Sequence, residues 1–161
     1  MSTKHKLATL LVAATLSLAN AQNYTIQYRG ITLGEIDDLS TLDALYLKAR
    51  VTNFIAKLLL KKRYFVYYGG DRKPSVADAK FRKDKNRVLF ALYEAIKNRP
   101  AHKVYTSQRG KKLILSCDHQ ICKYTFYKRD KVTGEGKILF DGNNDFYELV
   151  EEKNNVVIKR K

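Results

Sequence analysis

The sequence predicts an α+β, mostly β fold: a curved antiparallel β-meander, half-barrel-like, packed around one main helix. Three observations carry this. Short runs that alternate apolar and polar residues recur along the chain, with Gly, Asn or Asp between them. Only one stretch, 84–98, shows a strong helical period. No Pro- or Gly-rich linker divides the chain, and 161 residues with 45% hydrophobic content suit one domain with a real core.

Residues 1–21 read as an export address. Lys4, His5 and Lys6 form a basic start, 7–18 is an uncharged apolar run, and Ala19-Asn20-Ala21 is a small-residue cleavage pattern. The run is shorter than the roughly 20 residues that span a bilayer. Cleavage is expected between Ala21 and Gln22. A lipoprotein would need Cys where Gln22 stands, so the expected product is soluble, periplasmic and without a transmembrane anchor. Residues 22–161 are then a single exported β-rich domain.

In 23–34, Tyr24, Ile26 and Tyr28 alternate with Thr25, Gln27 and Arg29, which predicts a strand with one apolar face. Gly30 and Gly34 bracket Ile31-Thr32-Leu33, a turn or bulge and a second short strand. Residues 45–52 alternate again, with Leu45, Leu47, Ala49 and Val51 on one side. Residues 53–62 fit either a helix, with Phe54, Ile55, Leu58 and Leu59 in a stripe, or a buried strand running into 64–68. The YFVYY run at 64–68 is dense in strand formers, and Gly69-Gly70 closes it. Residues 71–83 read as a polar, basic connection. The helix follows, with Asp84 as cap, Val88, Leu89, Leu92, Tyr93 and Ile96 at helical spacing, and Asn98 and Pro100 as its end. Strands return after Ala101. Gly134-Glu135-Gly136 and Asp141-Gly142-Asn143-Asn144 read as turns of the meander.

Cys117 and Cys122 flank a four-residue loop, 118–121, between two alternating runs. A hairpin there pairs Cys117 with Cys122, Leu115 with Tyr124 and Leu113 with Phe126 on one side. An oxidising compartment then favours a disulfide. The alternatives are a metal site completed by His119 and a reactive thiol. The C-x4-C spacing is neither the redox C-x-x-C nor a haem attachment motif.

The sequence presents no catalytic residues. None of its three histidines has a patterned nucleophile or metal partner, and no phosphate-binding, nucleophile-elbow or zinc-protease motif occurs. A non-enzymatic protein without metal or other cofactor is the expectation. Glu35, Asp37 and Asp38 form a compact acidic group, read either as a solvated turn or as chemical carboxylates. Asn23-Tyr24-Thr25 matches a glycosylation sequon. The charge of +15 stands out, with basic clusters at 61–63, 72–73, 80–87 and 159–161. Export points these away from nucleic acid and toward lipid head groups or other anionic envelope components. A general basic bias is the plainer reading.

Residues 24–31 (YTIQYRGI), then Leu33-Gly34-Glu35, resemble the opening strand pair of the bacterial exported domain-of-unknown-function family 3108. Residues 84–98, with LFALY at 89–93, are similar to its central helix, and the later hairpins with Asp141-Gly142 to its final meander. The chain departs from that family in being short, with 71–83 compressed and basic. The resemblance implies a curved sheet around a helix, similar in outline to periplasmic lipoprotein carriers, and no catalytic residues.

Two functions follow as expectations. One is the binding of a lipid or other amphipathic ligand in the hollow of the sheet, whose ligand-binding residues are not legible in the sequence. The other is an envelope assembly or structural factor that binds protein partners through its basic surface and sheet edges. What separates them is whether the helix fills the hollow or leaves a gap.

Overall fold

A computed structural model describes residues 22–40, 42, 46–61, 64–68, 87–106 and 110–161, with 46, 60 and 64–68 described by their backbone. The leader 1–21, the basic connection 71–83 and the Asp84 cap lie outside them.

The strands are β1 (Tyr24–Tyr28), β2 (Ile31–Ile36), β3 (Tyr46–Val51), β4 (Tyr64–Tyr68), β5 (Lys103–Thr106), β6 (Lys111–Asp118), β7 (Ile121–Lys128), β8 (Lys131–Phe140), β9 (Phe146–Glu151) and β10 (Val156–Arg160). Two helices are described, α1 (Phe54–Leu60) and α2 (Arg87–Lys97). All ten strands join one antiparallel, curved sheet in the order β4-β3-β2-β1-β10-β9-β8-β7-β6-β5. The first and last strands pair in its middle, Ile26 facing Ile158. The edges are β4 and β5, the two strands that α2 lies between in the chain. The connection therefore carries the chain from one edge to the other, and α2 lies on the face between them.

Alternation explains the inner face. Tyr24 and Ile26 of β1, Leu47, Ala49 and Val51 of β3, and Leu113 and Leu115 of β6 are buried. Tyr28, expected on that face, is 40% exposed. It sits at the end of the β1–β2 hairpin, and the Arg29 guanidinium lies over its ring at 5.3 Å. Arg29 and Gly30 both have positive φ, a two-residue turn that suits the strand twist. The β1–β2 register then shifts between Ile26 and Gln27. Gly34 serves a close approach: a Cβ there would lie 2.4 Å from the Arg50 carbonyl oxygen of β3.

Within the ambiguous stretch 53–62, Phe54–Leu60 is helix. The Asn53 side chain accepts the Ala56 N–H at 3.1 Å, and Lys61 ends the helix in the left-handed region. In α2, Leu89, Phe90, Ala91, Leu92 and Ala95 are buried against β6, β7 and β9. The helix closes at Lys97 with the Asn98 N–H donating to the Glu94 carbonyl at 2.9 Å. The Arg99 guanidinium stacks on Phe140 at 3.7 Å and donates to Asn144, tying this end to the β8–β9 loop.

The β6–β7 hairpin has the register its sequence implies: Leu113 with Phe126, Leu115 with Tyr124, Cys117 with Cys122. The two cysteines form a disulfide. Asp118 and Ile121 also pair, so the loop is two residues, His119-Gln120, rather than four. Gly134-Glu135-Gly136 is not a turn. It lies inside the ten-residue β8, and the turn before it is Arg129-Asp130, both with positive φ. The glycines serve space rather than a bend, as the site shows.

Candidate functional site

The helix does not fill the hollow. It packs over β6, β7 and β9, and beside it an apolar cavity of about 230 Å³ remains among the described residues. Val88, Leu89 and Leu92 of α2 form one wall, and Ile26, Ile36 and Leu47 of β1–β3 face them. Leu149, Val156 and Ile158 of β9 and β10 extend the lining. Each of these strand residues falls on the inward beat of its strand, so strand period alone supplies the floor. The volume lies just under the roughly 300–1,000 Å³ of small-molecule sites.

The polar lining is Glu151 and Asn154. Glu151 is buried, and its Oε2 accepts the Tyr124 hydroxyl at 2.7 Å. Its Oε1 accepts from the Asn154 side chain at 3.3 Å. Tyr124 stands on β7 and Glu151 on β9, with β8 between them. Gly136 pairs with both residues, and it has no side chain to block the reach. Gly134, opposite Phe126, leaves room beside the same carboxylate. Arg87, at the start of α2, lies over the Phe126 ring at 4.6 Å and donates to Thr133 at 2.6 Å, so it adds positive potential near Glu151.

Burial pushes the Glu151 carboxyl above the ordinary glutamate value of 4.5, against the opposing hydrogen bond from Tyr124 and the charge of Arg87. The folded protein thus holds this proton more tightly than the unfolded chain does. The stabilisation is complete below the unfolded value and is lost as pH rises through the raised one. Glu151→Gln keeps an acceptor for Tyr124 and cannot ionise. Its stability relative to the natural protein is expected to improve steadily as pH rises from about 4 to about 7, read by urea unfolding at each pH. A difference that stays constant over that range would show that Glu151 does not titrate as its burial requires.

The residues singled out in the sequence are placed elsewhere. The Cys117–Cys122 disulfide clips the tip of the β6–β7 hairpin and does not line the cavity. Gln22, the expected first residue after cleavage, accepts the Tyr24 hydroxyl at 3.0 Å; Ala21 lies outside the described residues. Glu35 is on β2 rather than in a turn. It pairs with Arg50 at 3.0 Å and with Lys161 at 2.6 Å, and the Lys161 hydrogen bond holds its carboxyl below the usual range. Asp37 shares Arg50, and Asp38 accepts from the Ser40 backbone at 2.7 Å. Glu35 and Asp37 therefore converge on Arg50, while Asp38 is held apart by Ser40. His119 is exposed beside Asp118, and His102 contacts the Ser116 hydroxyl. Among the described residues, no group of three or more His, Cys, Asp or Glu could hold a metal ion, and no helix is long and apolar enough to cross a membrane.

The basic run 159–161 is engaged too. Lys159 pairs with Glu148, Arg160 with Asp141 and Lys161 with Glu35, at 3.8, 2.6 and 2.6 Å. These pairs tie the end of the chain to β9, to the β8–β9 loop and, across β1, to β2. Sequence reasoning missed the Tyr124–Gly136–Glu151 row, because glycine in a strand reads as a break. The one available signal was a Gly-x-Gly at strand period, both glycines on the same face. Comparison of the chain with family models, curated proteins and solved structures gives no match.

Proposed function

We propose that this is an exported, non-catalytic envelope protein that takes the apolar part of an amphipathic ligand into the cavity beside α2. The observation that carries the reading is the unfilled apolar space itself. With α2 packed on β6, β7 and β9, the space beside it lined by Ile26, Ile36, Leu47 and Leu92 is the place where a hydrocarbon chain gains burial. The volume suits one chain rather than a whole lipid, with the polar head at the Glu151–Asn154 side. Export rests on the leader pattern at 1–21 and its cleavage between Ala21 and Gln22.

The test is native mass spectrometry of protein purified from the envelope fraction, paired with titration by N-phenyl-1-naphthylamine, an uncharged fluorescent probe. Co-purified lipid, or probe binding displaced by a fatty acid, is expected. Val156→Trp, which fills the cavity from half-buried β10, is expected to weaken probe binding at least about tenfold while the fold is kept. A ligand-free protein whose probe signal is unchanged in Val156→Trp would overturn the carrier reading and leave a partner-binding assembly factor.

A further inference from the structure

An amphipathic helix on a globular protein normally turns its apolar stripe to the core. Helix α1 does the reverse. Phe54 is 73% exposed, Ile55 65%, Leu58 61% and Leu59 79%, while among the described side chains of α1 it is Ala56 that is buried. Phe54 with Leu58, and Ile55 with Leu59, are spaced by four, so the four large side chains share one outward face. Singly exposed apolar residues need no explanation, but four on two helical turns form a patch. Asn53 caps the helix, and its N–H donates to the Leu33 carbonyl of β2 at 3.3 Å, which ties the helix start to the sheet.

The surroundings say what covers the patch. Lys57 and Lys61 are exposed on the same helix, and the chain continues into Lys62 and Arg63. Between Val51 and Gly70 the sequence holds no Asp or Glu at all. An apolar face rimmed by positive charge, in a stretch of sequence without acid, matches the boundary of an anionic bilayer, where acyl chains lie beneath negative head groups. A second copy of the chain would bring the same lysines against each other.

We propose that α1 is a membrane-surface contact that lays Phe54, Ile55, Leu58 and Leu59 into the head-group boundary of an anionic phospholipid bilayer, with Lys57 and Lys61 on the head groups. The cavity plays no part in this contact, and the two readings stand or fall separately.

Flotation of the purified protein with vesicles tests it. Binding to phosphatidylglycerol–phosphatidylcholine vesicles is expected, with much weaker binding to pure phosphatidylcholine. The F54S/I55S/L58S/L59S variant is expected to bind at least about tenfold more weakly. K57Q/K61Q is expected to lose about tenfold or more, since each basic residue near the surface contributes about fivefold. Leu59→Ser alone, at the most exposed position, should weaken binding about threefold and guards against a folding defect in the quadruple variant. Probe binding in the cavity is expected to be the same in all of them. Failure of the natural protein to float with anionic vesicles overturns the proposal. So does undiminished binding by the serine variants, which would assign the attraction to general charge. A dimer in sedimentation that the quadruple variant dissociates, without vesicle binding, would make a second copy the occupant instead.

Discussion

Gly136→Ala is expected to destabilise the protein by about 3 kcal/mol or more and to lower its melting temperature by roughly 10 °C. A Cβ at this position would lie 2.1 Å from the Val150 carbonyl oxygen and 2.4 Å from the Tyr124 hydroxyl. The first obstacle is backbone of the adjacent strand β9 and cannot move without breaking register. The second is the far end of a side chain that is itself buried. Moving Tyr124 aside also removes its hydrogen bond from Glu151, leaving a buried carboxylate with the longer Asn154 contact, at a cost of about 1–3 kcal/mol. Gly142→Ala is the control. Nothing stands within 4 Å of its Cβ position, and a change within about 0.5 kcal/mol is expected. Thermal and urea unfolding of the two variants side by side decide the matter. Equal melting would mean that the row across β7, β8 and β9 is not closely packed.

Tyr105→Phe is expected to cost about 2–3 kcal/mol, from the loss of a hydrogen bond to a buried carboxylate. Tyr105 is the buried residue of the four-residue edge strand β5, and its hydroxyl donates to Glu94 Oε2 at 2.6 Å. Glu94, on α2, is fully buried. Its Oε2 also accepts from the Asn98 side chain at 2.8 Å, while its Oε1 has no hydrogen-bond partner among the described residues. Without the tyrosine hydroxyl, one amide donor serves a carboxylate inside the core. The Tyr105 ring, edge-on to Phe90 at 5.2 Å, would be kept by phenylalanine, so packing contributes little to the difference. The double variant Tyr105→Phe/Glu94→Leu removes the carboxylate as well and is expected to be more stable than Tyr105→Phe alone. If the double variant is the less stable of the two, Glu94 contributes more than the desolvation it suffers. Urea midpoints of the four proteins of this cycle measure it.

The hairpin of β6 and β7 shows how much could be read from residues alone. Its register follows from two alternating runs and two cysteines, because a one-residue slip would turn Leu113, Leu115, Tyr124 and Phe126 outward together. The stretch 53–62 shows where such reading stops. Its apolar spacing suits a helix, but spacing says only that four side chains share a face, not which way the face points. That is set by which side of α1 meets the core, and among its described side chains the buried one is Ala56. Gly134 and Gly136 were opaque for another reason. A glycine in isolation signals backbone freedom, whereas here it is wanted for the space its missing side chain leaves to a tyrosine two residues past a hairpin cysteine.

What the sequence by itself determined is therefore local and periodic: the strands, the main helix, the hairpin register and the disulfide, each set by alternation or spacing among near neighbours. The tertiary structure decided what depends on distant parts meeting. Pairing of β1 with β10 brings Ile26 and Ile158 to one wall, and α2 settles over β6–β9 rather than over the whole hollow. The cavity is the remainder of that fit, and the outward face of α1 is its counterpart at the surface. Both depend on the position of whole elements relative to one another, which no run of neighbouring residues encodes.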